Sequence, residues 1–267
     1  MTIALTLTNL RLPEHPGGVL VVGPSLGTAV SPLWAPCVEH LPIDLAVVGW
    51  DLPGHGGSRP HDEPFTVEDL AQAVMEATEE IRDDATGMVL HAGVSLGGAV
   101  GLALAIDHAQ GFDGVIVLAS GAKVGEADAW HERAELVRRA GTPVMVEASA
   151  KRWFAPGAIE RDPAMAAALL DSLQAADRFS YARCCEALAC FDVRDALGGV
   201  EIPVLALAGE HDPVAPIEMA ATVAEGTGGT AHTIAGAAHL PPADQPAATA
   251  HEITEFLMGP VAEASTW

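Results

Sequence analysis

Positive charge is what this chain has least of. Lysine and arginine together number 13, against 36 aspartates and glutamates, for a formal charge of −23. Binding a nucleic-acid backbone requires lysine and arginine to displace condensed counterions. Docking on anionic lipid requires the same side chains. The expectation is therefore no nucleic acid and no membrane among the partners. Cysteine is scarcer still. Cys37, Cys184, Cys185 and Cys190 form no disulfide framework, because three of them crowd into one predicted helix and two are adjacent. Reduced thiols are expected. Neither His-Glu-x-x-His nor paired Cys-x-x-Cys spacing occurs, so no metal and no cofactor is predicted. Long apolar runs are also missing. The most apolar stretch, 88–106, contains His91, Ser95 and four glycines, which reads as strand, turn and helix, not a membrane span. The N-terminus has no basic region leading into an apolar core. A cytoplasmic protein is the expectation.

What is present suffices for a large core. The chain has 267 residues, 49% of them apolar, which excludes a disordered acidic polymer and predicts one compact unit. Ile3, Leu5 and Leu7 alternate with threonines, the pattern of a half-buried strand. Short runs rich in Val, Leu and Ile follow at 18–22, 45–48, 88–92, 115–119 and 204–208, as expected of strands covered on both faces. Helical stretches lie between them: one starts behind Thr66 as N-cap, one spans 96–108, and one runs from about 243 to 257. Strands alternating with helices predict an α/β fold with a mostly parallel sheet. The alternation breaks over 123–192, where Met165, Leu169 and Leu173 recur at helical spacing. This segment is predicted to be an inserted helical cap, leaving 1–122 and 193–267 as the core. The only strand-like run inside it, 144–146, is too short to assign.

Gly93-Val-Ser95-Leu-Gly97 matches the G-x-S-x-G elbow, in which a serine sits on a strained turn between strand and helix. The flanking 88–92 strand and 96–108 helix supply that context, so Ser95 is the candidate nucleophile. Gly23-Pro-Ser25-Leu-Gly27 matches too. Pro32 and Pro36 follow it, so no long helix is expected there, and the position is that of an oxyanion loop. A serine needs a base and the base needs an orienting carboxylate, in the order serine, acid, histidine. The 204–208 strand runs into Gly-Glu210-His211-Asp212-Pro, which makes Asp212 the candidate acid and Glu210 its alternative. Gly236-Ala-Ala-His239 lies before the last helix, making His239 the candidate base and His211 the weaker rival. His232 is read as structural. Two backbone donors are needed for an oxyanion: Leu96, directly after the serine, and Leu26, with Ser25 as the alternative.

Taken together these residues resemble the α/β-hydrolase family, whose Asp-x-x-Gly-His-Gly-x-Ser loop is matched by Asp51-Leu-Pro-Gly-His-Gly-Gly-Ser58. Within that family the chain resembles the 3-oxoadipate enol-lactonases. The likeness rests on Ser25-Leu-Gly-Thr28 with Trp34, Gly93-Val-Ser-Leu-Gly-Gly98, Trp130-His-Glu-Arg-Ala134, Lys151-Arg-Trp-Phe-Ala-Pro156 and Tyr181-Ala-Arg-Cys-Cys-Glu-Ala187. It implies an α/β-hydrolase fold and opening of a small anionic lactone to 3-oxoadipate in protocatechuate degradation. The substrate's carboxymethyl group then calls for a cation from the cap. Arg133, Arg138, Arg139, Lys151 and Arg152 are candidates, with Arg138 selected, and Trp34 and Trp153 (or Trp130) are the expected pocket walls. Nine of the 13 cations fall between Lys123 and Arg183. A net charge of −23 repels an anionic substrate at long range, which gives those local cations their importance. Another esterase or lactonase with the same triad is the alternative enzyme. A non-catalytic ligand-binding protein on the same fold is the alternative of another class, separated from the enzymes by turnover. The sequence leaves the oligomeric state open.

Overall fold

The computed structural model describes residues 3–264. Seven strands form one sheet: β1 (Leu7–Arg11), β2 (Gly18–Gly23), β3 (Leu45–Trp50), β4 (Met88–Val94), β5 (Gly114–Leu118), β6 (Val204–Gly209) and β7 (Thr230–Ile234), in spatial order β1-β3-β2-β4-β5-β6-β7. Only β1 runs antiparallel to its neighbour; the other pairings are parallel. β2, β3 and β6 are buried along their whole length, which is why they read as unbroken apolar runs rather than alternating ones. The helices around the sheet are α1 (Val30–Val38), α2 (Val67–Asp83) and α3 (Leu96–Asp107). A helical insertion follows: α4 (Ala127–Ala140), α5 (Val146–Trp153), α6 (Ala158–Arg161), α7 (Pro163–Ala175) and α8 (Arg178–Cys190). The chain ends through α9 (Ile217–Thr227), α10 (Pro241–Asp244) and α11 (Pro246–Phe256). The fold is that of an α/β-hydrolase. No helix is long and apolar enough to cross a membrane among the described residues.

Local chemistry explains the boundaries. Thr66 Oγ1 accepts the Asp69 N–H at 3.1 Å while the Asp69 carboxylate accepts the Thr66 N–H at 2.8 Å. This reciprocal cap starts α2. The predicted last helix begins later than expected, because the chain breaks at Gln245 and Pro246 takes the first helical position, where its missing N–H is no loss. Two other expectations shift, and one stretch left unassigned is resolved. The N-terminal strand begins at Leu7 rather than Ile3. Residues 144–146 lie in a helical turn running into α5. A nine-residue helix, α1, forms across Pro32 and Pro36. Pro32 falls in its first turn, where no intrahelical donor is required, and the Asp51 carboxylate accepts the Val30 N–H at 2.8 Å at its N-terminus.

The insertion leaves and rejoins the core at a narrow neck. The backbones of Lys123 and Asp192 pair in an isolated antiparallel β-bridge, and the Val193 N–H bonds the Ala122 carbonyl at 2.8 Å. Above the sheet it is tied down at several points: the Asp177 N–H to the Gly54 carbonyl (2.8 Å), the His61 N–H to Ser180 Oγ (2.9 Å), and Arg183 Nε to the Asp62 carbonyl (2.7 Å).

Two histidines are buried in uncharged form. His91, on β4, accepts the Trp50 indole N–H at 3.4 Å, and burial pushes it down to about 3. His55, in the loop after β3, donates to the Pro53 carbonyl at 2.8 Å and stacks on Tyr181. Burial lowers it to about 4, against the opposing pull of that carbonyl and of Asp177. Below the ordinary value of 6.5 the unfolded chain takes up protons at both rings while the folded chain refuses them. Stability therefore falls as pH drops from 6.5 toward 4, by about 1.4 kcal/mol per pH unit for each histidine. Chemical denaturation at successive pH values should show this slope, and His91→Met should roughly halve it. A wild-type stability that stays flat between pH 6.5 and 4.5 would contradict the assignment.

Candidate active site

β4 enters α3 through a single strained residue. Ser95 has φ 55° and ψ −112°, a conformation that costs a non-glycine residue on the order of 1–3 kcal/mol. The surroundings hold it there. A Cβ on Gly93 would overlap the Gly97 carbonyl, and one on Gly97 would approach the Pro24 carbonyl to 2.7 Å. The Ser95 N–H bonds the Leu118 carbonyl at 2.8 Å and the Gly97 N–H bonds the Pro24 carbonyl at 3.0 Å. The elbow is thus fixed to β5 on one side and to the 23–28 loop on the other.

That loop brings two backbone donors into play. Thr28 Oγ1 accepts the Ser25 N–H at 3.1 Å, which engages the alternative donor. No protein acceptor takes the Leu26 N–H or the Leu96 N–H among the described residues. Trp34, expected at the substrate, is instead buried beneath this loop. Its indole N–H donates to the Gly23 carbonyl at 2.9 Å, so it supports the loop from below and is not part of the lining around Ser95. Ser25 itself reaches the same cavity as Ser95.

The acid and base loops are laced together. The Glu210 N–H bonds the Ile234 carbonyl at 3.1 Å, the His211 N–H bonds the Ala237 carbonyl at 2.8 Å, and the Glu210 carboxylate accepts the Gly236 N–H at 2.8 Å. Glu210 therefore serves the loop and not the imidazole, and His211 is half exposed on the surface. His232 pairs with Glu252 at 2.6 Å on an exposed edge. Asp212 and His239 are buried and face each other, with His239 Nδ1 2.9 Å from Asp212 Oδ2. Burial by itself would raise the Asp212 carboxyl. The His239 hydrogen bond and charge, with the Val214 and Ala215 N–H groups, outweigh it and hold the group below its ordinary value. An ionised Asp212 accepts the Nδ1 proton and leaves Nε2 as the basic nitrogen. His239 lines the cavity together with Ser95.

The insertion roofs this cavity. Trp130, Arg133, Ser149, Arg152, Trp153 and Tyr181 face Ser25, Leu26, Ser95, Val214 and His239 across a space of about 30 Å³, room for a water molecule or two. Larger surface grooves exist, such as one of about 540 Å³ beside Phe65, but that one is lined by no serine or cysteine. Two guanidiniums line the cavity. Arg133 lies 4.5 Å over the Trp130 ring, with Tyr181 beside it in the same lining. Arg152 is held below its ordinary value by burial first and by Arg133 second. No Asp or Glu pairs with either among the described residues. Arg138, the arginine selected from the sequence, points elsewhere. It binds Glu186 at 2.7 Å and Glu135 at 3.4 Å, so its charge is already satisfied between α4 and α8. Lys151 pairs with Glu147 in solvent. Trp153 does wall the cavity. No group of three or more His, Cys, Asp or Glu side chains could hold a metal among the described residues.

Known proteins are similar to this chain in sequence and fold. The Hydrolase_4 family model, described as serine aminopeptidase S33, matches residues 38–245. A 3-oxoadipate enol-lactonase of Acinetobacter baylyi is 33% identical over 251 residues, covering 94% of this chain and 92% of the relative. A pimeloyl-[acyl-carrier protein] methyl ester esterase of Vibrio parahaemolyticus is 30% identical over 82% of this chain and 86% of its own. Among solved structures, the enol-lactonase of Burkholderia xenovorans superposes with a TM-score of 0.87 at 29% identity, covering 95% of this chain and 96% of the other.

The elbow gives a direct test. Gly93→Ala forces a methyl into the Gly97 carbonyl and should destabilise the protein by on the order of 3 kcal/mol, seen in chemical denaturation. The Ser95 hydroxyl should at the same time lose its reactivity toward a fluorophosphonate. Unchanged stability and labelling would show that the turn is not constrained in this way.

Proposed function

The chain belongs to the α/β-hydrolase family, and from that premise we propose that this serine hydrolase of the enol-lactonase and esterase group opens 3-oxoadipate enol-lactone to 3-oxoadipate. One observation carries the substrate choice: the cavity that holds Ser95 and His239 also holds two guanidiniums with no carboxylate of the protein to neutralise them. Both guanidiniums are partly withdrawn from solvent, and a cation so placed gains from a paired anion. An anionic substrate supplies the missing partner, and a guanidinium fork suits a carboxylate. Arg133 and Arg152 take the role that the sequence assigned to Arg138.

In this reading Ser95 Oγ attacks the lactone carbonyl carbon as His239 Nε2 takes its proton. Asp212 keeps the imidazole in the tautomer that can do so and stabilises the imidazolium. The oxyanion that forms meets the N–H groups of Leu26 and Leu96. Collapse breaks the ring C–O bond. The leaving oxygen departs as an enolate, a better leaving group than an alkoxide, and takes up the proton from His239. The resulting enol tautomerises to a ketone while the acyl group stays on Ser95. Water, deprotonated by His239, then attacks the acyl carbon; the acyl–Oγ bond breaks, Ser95 Oγ takes the proton back from His239, and a second carboxylate is released.

Three outcomes are expected. Purified protein should hydrolyse the enol-lactone faster than simple neutral esters, and Ser95→Ala should lower kcat by at least about 10⁴-fold. Arg133→Ala and Arg152→Ala should each raise KM for the lactone about tenfold while leaving KM for a neutral ester within about twofold. An unchanged lactone alongside rapid ester hydrolysis would make the protein an esterase of the same group instead. Because the molecule carries −23 charges, kcat/KM for the anionic lactone should rise when moderate salt is added. A fall would show that the local cations dominate capture.

A further inference from the structure

A third carboxylate stands behind the site. Asp244, in α10, has a fully buried side chain. Its Oδ2 accepts two backbone N–H groups: Ala238 at 2.8 Å and Ala155 at 2.9 Å. Its Oδ1 and its carbonyl oxygen both accept from Arg161 Nη2, at 3.2 and 3.1 Å. These partners come from different parts of the molecule. Ala238 immediately precedes His239. Ala155 is two residues beyond Trp153, which walls the cavity. Arg161 ends α6 in the insertion and is half exposed. One oxygen therefore joins the segment that carries the base to the segment that carries the cavity wall. The next residue adds a second tie, since Gln245 Nε2 donates to the Gly236 carbonyl at 3.1 Å.

We propose that Asp244 is a positioning residue that couples the seat of the helical insertion to the placement of His239. The inference rests on the reading of His239 as the base. A buried carboxylate of this kind is retained only if its lone pairs are filled, and here filling them requires both segments to be in place. The cavity of about 30 Å³ is smaller than a six-carbon lactone, and on this proposal the adjustment that admits substrate falls in the 153–155 segment, which carries the Trp153 wall. When it returns, the Ala155 N–H comes back to the same oxygen that holds the Ala238 N–H. Closure over the substrate and alignment of the imidazole thus become one event. A catalytic base misplaced by about 1 Å loses on the order of a hundredfold in rate, so the coupling is large enough to matter. Asp244 touches neither Ser95 nor the cavity and acts only through its two neighbours.

The test uses Asp244→Ala, Asp244→Asn and Arg161→Ala. Active sites are counted with a fluorophosphonate, turnover is measured on p-nitrophenyl acetate, and amide hydrogen exchange is followed in 153–158 and 236–240. Asp244→Ala should lower kcat per labelled site by about tenfold to a hundredfold and speed exchange in both segments. Asp244→Asn keeps an oxygen for the two N–H groups and should restore kcat per labelled site to within about threefold of wild type. Arg161→Ala removes a half-exposed side chain, so it reports even if Asp244→Ala does not fold. Its exchange should quicken in 236–240 as well as in 153–158. Exchange that rises only in 153–158, or a kcat per labelled site unchanged in Asp244→Ala, would overturn the coupling. Retained hydrolysis in His239→Ala would overturn the reading of the base, while the exchange result would still decide the coupling separately.

Discussion

Everything at this site hangs on one backbone torsion. Ser95 can hold φ 55° only because Gly93 and Gly97 carry no side chains where strand and helix meet, and because the Leu118 carbonyl takes its own N–H and the Pro24 carbonyl that of Gly97. The consequence is positional. The hydroxyl stands at the carboxyl end of the sheet, where ligands bind in open α/β folds. The Leu96 N–H is left without an acceptor beside it. The bond to Pro24 brings the 23–28 loop, and with it Leu26, to the same place. The strain of one residue is distributed over a rigid scaffold that could not relax it without separating β4 from α3.

Charge is arranged against this scaffold in two layers. The molecule as a whole is strongly acidic, yet its cations gather in the insertion, and most of those that lie outside the cavity are neutralised there. Arg138 and Arg183 share Glu186, Lys151 meets Glu147, and Arg161 meets Asp244. Arg133 and Arg152 remain without carboxylates in the cavity. Below them the imidazole is already matched to Asp212. The site therefore combines a satisfied carboxylate–imidazole hydrogen bond on the core side with unpaired positive charge on the cap side.

The fold and the positions of the site loops were legible in the sequence because they depend on local patterns. Fully buried parallel strands give continuous apolar runs, and a serine elbow needs glycines at fixed spacing. A loop after a strand betrays itself through a cluster such as Gly209-Glu-His-Asp-Pro213. What escaped is set by helical phase and by tertiary contact. Arg133 sits three residues after Trp130, on the face of α4 that meets the cavity, while Arg138 is claimed by Glu186 on α8, a residue no local pattern connects to it. Trp34 looked like a pocket wall because it follows the 23–28 loop, but its indole N–H is spent inside the core. Asp244 gave no signal at all, since its partners at 155 and 161 are remote in sequence. Helix α1 was hidden by its prolines, whose effect depends on which turn they occupy.

The neck of the insertion has an implication for how such a protein changes over time. The chain departs at Ala122 and returns at Val193 through hydrogen-bonded neighbours, so five helices are inserted without altering the strand order on either side. Residues that would select a substrate and residues that would cleave it then occupy separate modules joined at one short seam. A lineage could exchange the whole roof, or a designer could graft one, and the sheet beneath would still fold to the same order. The ties at Gly54, His61, Asp62 and Asp244 are the points a new roof would have to reproduce.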